Sequence, residues 1–397
     1  MNFTRTNSQS NHGFDKILKL RSTLTHLLIK EKKRRKIMSM LYSIARRCLF
    51  AMDPETAHHV IMANLDWAVN LGVTKLVTRD PVEDPIEVMG LRFPNVVGLA
   101  AGMDKNGERV SAFGGLGFGH VEIGTITPKA QPGNPKPRLF RVIPAEGVIN
   151  RMGFNNHGVD EVLGVHLKSA AAFRNRGGIL GINIGKNAVT PIENAVDDYL
   201  ISMRKVYNHT DYIAINISSP NTKNLRSLQA DEELEKLLKA ITDERKRLID
   251  ENDGKRVPIA LKVAPDLEND DILRISDQLV NYGIDGIIAT NTTIARDSIQ
   301  GLPNCNETGG LSGKPLRERS TEVVDLLYRH LQETMPIIAS GGVMTGADAV
   351  EKMQAGAKLV QLFTGFIYYG PVLVPDCVDA VAEWRKTQTG SVKSLRP

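Results

Sequence analysis

Eight short apolar segments recur between residues 96 and 363, and they constrain the fold more than any other feature of the sequence. Most are followed by segments with helical periodicity, at residues 160–173, 231–248, 270–282, 316–331 and 346–355. Continuous apolar runs, in place of strict alternation, indicate parallel strands that are covered on both faces. The predicted strands are 96–100, 121–125, 179–184, 212–217, 259–263, 286–290, 337–340 and 359–363.

A strand–helix unit repeated eight times is typical of a TIM (β/α)8 barrel, an α/β fold. The alternative is an open doubly wound sheet, which would need a glycine-rich phosphate loop after its first strand. Residues 98–102 read GLAAG and do not match GxGxxG. The sequence therefore favours the barrel.

Two further zones precede the barrel. Residues 1–39 carry ten Lys or Arg against two acidic residues, and we expect a basic, disordered tail that is not a secretory signal. Residues 40–78 place apolar residues at helical spacing around a break at Asp53 and Pro54, where Asp53 is suited to cap a helix. We expect this amphipathic extension either to pack on the barrel or to lie on a membrane surface. The barrel domain is assigned to residues 79–397.

Charge and cysteine content exclude some functions. The chain has a formal charge of +5, but +8 of this belongs to the tail, so residues 40–397 carry −3. A mildly acidic body lacks the basic surface that nucleic-acid binding requires. Cys48, Cys305 and Cys377 are far apart and outside any metal-binding spacing, which predicts neither a disulfide nor a zinc site.

The active site of a TIM barrel lies at the C-terminal ends of its strands. The residues at these ends are amides, hydroxyls and glycines with two lysines, and they include no His, Cys or paired carboxylates. This set disfavours metal or glycosidase chemistry and suits a planar, anionic ligand with amide edges. Gly341, Gly342 and Gly365 follow the last two predicted strands, where such barrels often bind phosphate.

Five longer motifs resemble dihydroorotate dehydrogenases, specifically the membrane-associated, quinone-reducing class 2 branch. The motifs are AAGMDKNGE at 100–108, GTITPKAQPGNPKPR at 124–138, NRMGFNN at 150–156, INISSPNT at 215–222 and GGLSGKPL at 309–316. The resemblance runs from about residue 40 to about residue 382 and does not include the tail.

The resemblance implies a set of site residues. It implies that FMN binds at Ala101, Gly102, Lys105, Thr125, Asn183, Asn216, Lys262, Thr290, Gly313, Gly342, Phe363 and Thr364. It implies that dihydroorotate and its product orotate bind at Lys105, Asn150, Arg151, Met152, Gly153, Phe154, Asn216, Asn221, Asn291 and Thr292. No residue is assigned to a metal, and His120 and His157 are given no role.

The implied reaction removes a proton from C5 of dihydroorotate and transfers a hydride from C6 to the flavin, a step in pyrimidine biosynthesis. Ser219 matches the class 2 catalytic base, where class 1 enzymes have Cys. A serine is a weak base, so it needs a proton relay through Thr222 or a water molecule. Lys262 would stabilise negative charge on the reduced flavin, and Lys105 would hold the substrate carboxylate.

For residues 40–78 the resemblance implies a pair of helices that contacts the membrane and forms a tunnel for the quinone. His58 matches the family position at the quinone site, although a lone helical His is more often structural. We expect a peripheral, monomeric protein on the cytoplasmic side of a bacterial inner membrane. The basic tail also resembles a mitochondrial transit peptide, which leaves that origin open.

Three other functions remain as alternatives. A soluble dihydroorotate dehydrogenase that reduces fumarate or NAD is disfavoured by Ser219 and by the amphipathic extension. A flavin barrel that acts on uridine in RNA would need a Cys acid and a basic surface. A phosphate-binding scaffold would need neither both lysines nor the set of asparagines.

Overall fold

The computed structural model describes residues 37–38 and 40–393. The predicted disordered tail, except for Ile37 and Met38, lies outside these residues. The described strands are β1 (Ile86–Val88), β2 (Leu91–Phe93), β3 (Val97–Leu99), β4 (His120–Ile126), β5 (Leu139–Val142), β6 (Gly147–Asn150), β7 (Ile179–Ile184), β8 (Tyr212–Asn216), β9 (Ile259–Val263), β10 (Gly286–Ala289), β11 (Gly310–Gly313), β12 (Ile337–Ser340) and β13 (Leu359–Leu362).

The described helices include two at the N-terminus and ten within or after the barrel. They are α1 (residues 40–51), α2 (Pro54–Asn70), α3 (Val110–Gly115), α4 (Val159–Glu161), α5 (Ala170–Arg174), α6 (Ala195–Val206), α7 (Asp231–Glu251), α8 (Asn269–Asn281), α9 (Arg317–Leu331), α10 (Gly346–Gln354), α11 (Thr364–Tyr369) and α12 (Leu373–Lys393). None of the described helices is both long enough and apolar enough to span a bilayer.

Eight parallel strands close into a barrel in the order β3, β4, β7, β8, β9, β10, β12 and β13, and the TIM barrel prediction is confirmed. All eight predicted strands are present, three with the predicted bounds and five with ends shifted by one residue. Their side chains are almost entirely buried, as continuous apolar runs predict. The carboxyl ends of these strands meet at one rim, which is where the sequence placed the candidate site.

Several elements differ from the prediction. The helix expected at 160–173 is interrupted by a π turn (Val162–His166) and a 3-10 turn (Leu167–Ser169). An antiparallel hairpin, β1–β2, and an antiparallel sheet of β5, β6 and β11 were not predicted. Their strands have only three or four residues each, too few for a clear periodicity. The second sheet lies beside the barrel rim, since β6 ends at Asn150 and β11 at Gly313.

The N-terminal helices α1 and α2 are held to the rest of the protein by hydrogen bonds from Arg138 and Arg141. Asp53 caps α2 as predicted, and its Oδ1 accepts the Thr56 N–H at 2.9 Å. In the first turn of α2, the buried Glu55 carboxylate accepts from Arg138 Nε at 3.1 Å and from an Arg138 terminal nitrogen at 2.8 Å. Arg141 donates to the Met52 carbonyl at 2.8 Å and to the Leu49 carbonyl at 3.2 Å, at the end of α1. Both helices are therefore attached to β5 and the segment before it.

Replacing Arg138 with Met is expected to destabilise this attachment. Burial raises the pKa of Glu55, but the hydrogen bonds and charge of Arg138 hold it below its usual value. Without Arg138 a buried carboxylate loses its main partner, at a cost of about 3–5 kcal/mol. Urea unfolding should show this loss, and the double variant Arg138→Met/Glu55→Gln should recover part of it. Additive losses in the double variant would contradict the pairing.

His120 is the first residue of β4 and therefore lies at the amino-terminal end of the barrel strands. Both ring nitrogens are buried without a hydrogen-bond partner, and the ring packs edge-on against Phe93 at 5.3 Å between centroids. A Cβ at Gly98 would lie 2.0 Å from His120 Nε2, so this strand position requires glycine. Burial alone lowers the pKa of His120 from 6.5 to about 3. The imidazole is thus neutral in the folded chain.

This burial predicts a pH dependence of stability. Because the folded pKa is the lower one, the unfolded chain binds the proton first on acidification. The stabilisation is complete above pH 6.5 and is lost as the pH falls towards 3, by up to about 1.4 kcal/mol per pH unit. The free energy of unfolding of His120→Leu should fall less steeply between pH 7 and pH 5 than that of the unmodified protein. Equal slopes would show that His120 is not the titrating group.

Candidate active site

One cavity of about 730 Å³ extends from the carboxyl ends of the barrel strands to the space between α1 and α2. Its inner end is lined by the amides, hydroxyls and lysines of the strand ends. Its outer end is lined mainly by aliphatic side chains, among them Leu41, Leu49, Ile61, Leu65 and Leu76. The cavity therefore joins a polar chamber to an apolar passage.

An amide network organises the chamber wall. Asn291, after β10, donates from Nδ2 to Asn216 Oδ1 at 3.3 Å and to Ser218 Oγ at 3.0 Å. Across the cavity, Asn221 Nδ2 donates to Asn150 Oδ1 at 3.1 Å. These contacts fix the rotamers of four asparagines that come from the ends of three strands, β6, β8 and β10. Each amide retains hydrogen-bonding capacity for a ligand.

The chamber floor is built on a buried glutamate that the sequence analysis did not identify. Glu122, within β4, accepts from Tyr212 OH at 2.9 Å, from Gln361 Nε2 at 2.8 Å and from Asn183 Nδ2 at 2.9 Å. Burial lowers the pKa of Lys262, and the Glu122 charge opposes that shift. The sequence signal for this network was an acidic residue within an otherwise apolar strand, because a buried carboxylate needs hydrogen-bond partners.

Asn183 and Thr125 connect this floor to the wall. The Thr125 hydroxyl donates to Asn183 Oδ1 at 2.6 Å and accepts from Asn216 Nδ2 at 3.0 Å. Thr125 and Asn216 line the cavity, whereas Asn183 lies behind them. Asn183 therefore supports the lining residues.

Ser219 lies in the loop after β8, is buried and lines the cavity. Its Oγ accepts the backbone N–H of Asn221 at 3.3 Å, which leaves the hydroxyl proton available to another acceptor. Thr222 is buried three residues later. Among the described residues no hydrogen bond connects the Ser219 and Thr222 hydroxyls, and the identity of the relay stays a prediction.

Lys105 is held by the loop that follows β3. Within it the Asp104 carboxylate accepts the N–H of Glu108 at 2.9 Å and that of Arg109 at 2.8 Å. Burial raises the pKa of Asp104 to about 6. Burial, reinforced by the Arg138 charge, lowers the pKa of Lys105 to about 8. Lys105 is therefore a cation at neutral pH that can pair with an anionic group in the cavity.

His58 and Arg141 are polar groups along the apolar passage. Burial lowers the pKa of His58 to about 4, and the charges of Lys105 and His59 lower it further. His58 is therefore a neutral donor and acceptor at neutral pH, while the neighbouring His59 side chain is 65% exposed. Arg141 was not identified from the sequence, and a basic residue within the short strand β5 was its only signal.

The cavity brings together most of the residues implied by the resemblance. Lining it are Ala101, Gly102, Lys105, Thr125, Asn150, Met152, Gly153, Phe154, Asn216, Ser219, Asn221, Lys262, Thr290, Asn291, Thr292, Gly313, Gly342, Phe363, Thr364 and His58. The Arg151 side chain does not line it. Its guanidinium donates to Glu307 Oε2 at 2.5 Å and stacks on Phe140 at 4.5 Å.

Comparison with known proteins identifies the family. The profile of the dihydroorotate dehydrogenase family matches residues 85–384. The dihydroorotate dehydrogenase (quinone) of Teredinibacter turnerae is 56% identical over 342 residues, covering 86% of this chain and 99% of that protein. The corresponding protein of Dechloromonas aromatica is 54% identical over 343 residues, covering 86% of this chain and 98% of its own length.

A solved structure shows the same fold. The crystal structure of DHODH from Eimeria tenella in complex with ferulenol superposes with a TM-score of 0.76 at 39% identity, covering 86% of this chain and 93% of that one. Sequence and fold agree over the barrel and over the segment that precedes it. The chain is a member of the dihydroorotate dehydrogenase family.

Proposed function

We propose that this protein oxidises dihydroorotate to orotate with bound FMN and passes the electrons to a membrane quinone. The observation that carries the proposal is the continuity of the cavity, which joins the polar chamber to the apolar passage. A polar substrate and an apolar electron acceptor can thus reach the same cofactor from different sides. The relatives named dihydroorotate dehydrogenase (quinone) support both partners.

The chamber residues fit FMN. Gly341, Gly342 and Thr364 lie at the ends of β12 and β13, where backbone N–H groups can receive a phosphate. A Cβ at Gly342 would lie 2.3 Å from Arg317 Cα, so this turn requires glycine. Gln361 Oε1 is buried without a partner beside the cavity and fits an N–H of the isoalloxazine ring. When bound there, FMN would supply the redox chemistry that takes a hydride from dihydroorotate and passes the two electrons on to the quinone.

The remaining FMN contacts are proposed from the same lining. Lys262 would place its charge against the pyrimidine edge of the flavin, stabilising negative charge there. The negative charge of the buried Glu122 partly balances the positive charge of Lys262. Other proposed contacts are Ala101, Gly102, Lys105, Thr125, Asn216, Thr290, Gly313 and Phe363, with Asn183 supporting Thr125 from behind.

For the substrate, we assign Lys105 to the carboxylate and the four networked asparagines to the amide edges of the ring. Ser219 would remove the C5 proton and pass it to Thr222 or to a water molecule. Phe154 has a left-handed backbone with φ of 55°, a strained conformation that places its ring in the cavity. Further proposed contacts come from Met152, Gly153 and Thr292, while Arg151 can contribute only through its backbone.

We assign residues 40–78 to quinone access and membrane docking, and residues 79–397 to catalysis. His58 and Arg141 are the proposed partners of the quinone carbonyls. Outside the passage, Trp67 on α2 and Leu71, the residue that follows α2, are each more than 60% exposed, as is Leu76 at the outer end of the passage. Such apolar side chains suit the interface of a bilayer. We therefore propose peripheral attachment of a monomer to the cytoplasmic side of a bacterial inner membrane.

The direct test is the purified protein itself. It should carry the absorbance of bound flavin, release FMN on denaturation and form orotate from dihydroorotate with a ubiquinone analogue as acceptor. Protein that folds but binds no flavin would contradict the proposal.

Obstructing the passage should separate the two half-reactions. Ala57 lines the cavity from α2 and is buried. Ala57→Phe should slow reoxidation by a ubiquinone analogue at least about tenfold, because the added ring occupies the quinone path, while reduction by dihydroorotate is unchanged. Stopped-flow measurement of each half-reaction tests this expectation. The matched control is Ala63→Phe, on the exposed side of the same helix, which should reoxidise normally. Unimpaired reoxidation in Ala57→Phe would remove the passage assignment.

A further inference from the structure

Four metal-ligating side chains converge outside the active-site cavity, where α4 and the π turn meet the loop after β3. They are Glu108 of that loop, His157, Glu161 of α4 and His166 at the end of the π turn. We propose that they form a binding site for a divalent transition-metal ion of the Zn²⁺ type. Imidazole nitrogens with carboxylate oxygens are ligands that this class of ion prefers.

The spacing of three ligand atoms matches a coordination shell. His157 Nδ1 lies 3.2 Å from His166 Nε2 and 3.0 Å from Glu161 Oε1, and His166 Nε2 lies 3.5 Å from the same oxygen. Metal–ligand bonds of about 2.0–2.1 Å in a tetrahedral site place neighbouring ligand atoms about 3.3 Å apart. The three atoms therefore already occupy one face of such a tetrahedron.

Glu108 supplies a fourth ligand from a different segment. One carboxylate oxygen of Glu108, one ring nitrogen of His157 and one ring nitrogen of His166 all lie within 4.8 Å of one another. Asn106 positions this carboxylate, since its Nδ2 donates to Glu108 Oε1 at 3.1 Å while its Oδ1 accepts the His157 N–H at 3.0 Å. The ligands thus come from two segments that are already connected.

Hydrogen bonds alone cannot satisfy all three contacts among His157 Nδ1, His166 Nε2 and Glu161 Oε1. A neutral imidazole has one donor and one acceptor nitrogen. If both histidines donate to Glu161, their two N–H groups face each other across 3.2 Å. If only one donates to Glu161, one of the three short contacts has no hydrogen to share. A cation at the centre satisfies all three atoms at once.

The π turn explains how His166 reaches Glu161. His166 lies five positions after Glu161, and in a regular α-helix two such residues are about 140° apart around the helix axis. A π turn has i to i+5 hydrogen bonds, so it returns that residue to the same face, and π turns are frequent at functional sites. The exposed fractions of the His157, Glu161 and His166 side chains are 48%, 51% and 19%, so an ion can enter from solvent. An ion here would connect the loop that carries Lys105 to the segment that follows Phe154.

The test uses the full chain after removal of any affinity tag and dialysis against a chelator. Calorimetric titration of the unmodified protein with Zn²⁺ should show one bound equivalent. Changing either His157 or His166 to Ala should lower the affinity for that equivalent about tenfold or more. Co²⁺ at the same site should give the visible absorption of a tetrahedral complex. Zn²⁺ should raise the Tm of the unmodified protein and not that of the two variants.

His330→Ala is the matched control, because His330 pairs with one carboxylate, Asp277, at 2.6 Å on the surface. It should retain the bound equivalent. If His157→Ala and His166→Ala bind Zn²⁺ as the unmodified protein does, the ion lies elsewhere, for example at the exposed Cys48, and the proposal is wrong. Absence of any stoichiometric binding would also overturn it. Neither result depends on the proposed enzymatic function, since no arm measures activity.

Discussion

Reduction of the bound flavin by dihydroorotate is expected to slow by a factor of about 10² or more in Ser219→Ala, as loss of a general base predicts. Ser219 lies buried in the cavity and has a free hydroxyl proton to pass on. Stopped-flow absorbance of the flavin measures this step alone. Reoxidation by a quinone analogue should be unchanged, because Ser219 acts only on the substrate.

Two further variants sharpen this test. Ser219→Cys should retain part of the rate, since a thiolate is a stronger base than a hydroxyl, and its rate should rise towards alkaline pH. Ser227→Ala, an exposed serine of the same loop region, should react normally. Near-normal reduction in Ser219→Ala would assign the base to another group.

A second large effect is expected at Lys105. Lys105→Met should lower kcat/KM for dihydroorotate about 10²-fold, because a desolvated carboxylate would lose its charged partner. The pKa of about 8 also predicts a pH dependence. Lys105 is cationic below that value and neutral above it, so KM should rise as the pH increases beyond 8.

Lys105→Arg is the control for the pH effect, because a guanidinium remains protonated throughout this range. Its KM should stay constant across the same interval, whatever its absolute value. A KM for the unmodified protein that is flat from pH 7 to 10 would contradict the assignment of Lys105 to the substrate carboxylate.

The barrel could be predicted from the sequence because each of its strands is buried on both faces. The uninterrupted apolar run YIAI in β8, for example, is typical of a parallel strand covered on both faces. The hairpin β1–β2 was missed because each strand has three residues, and its turn at Met89 and Gly90 relies on positive φ values of 54° and 75°. Met is rarely found in that conformation, so the turn carried no recognisable signal.

The site was predictable where residues follow a strand and less so where they lie within one. Asn216 is the last residue of β8 and Lys262 is the second-last residue of β9, so their position alone placed them at the rim. Glu122 and Gln361 lie inside apolar runs, and only three-dimensional contacts reveal the network they form. Arg151 was assigned with its motif, yet successive side chains of an extended segment point to opposite sides. Asn150 and Met152 therefore line the cavity while the Arg151 side chain points away from it.

Sequential stopped-flow mixing tests most directly whether the polar chamber and the apolar passage serve one flavin. The purified protein is first mixed with dihydroorotate and then with a ubiquinone analogue, while the flavin absorbance is followed. The account predicts loss of absorbance with formation of orotate, followed by full recovery on addition of the quinone. A flavin that dihydroorotate does not reduce, or that recovers only with fumarate, NAD or oxygen, would contradict it.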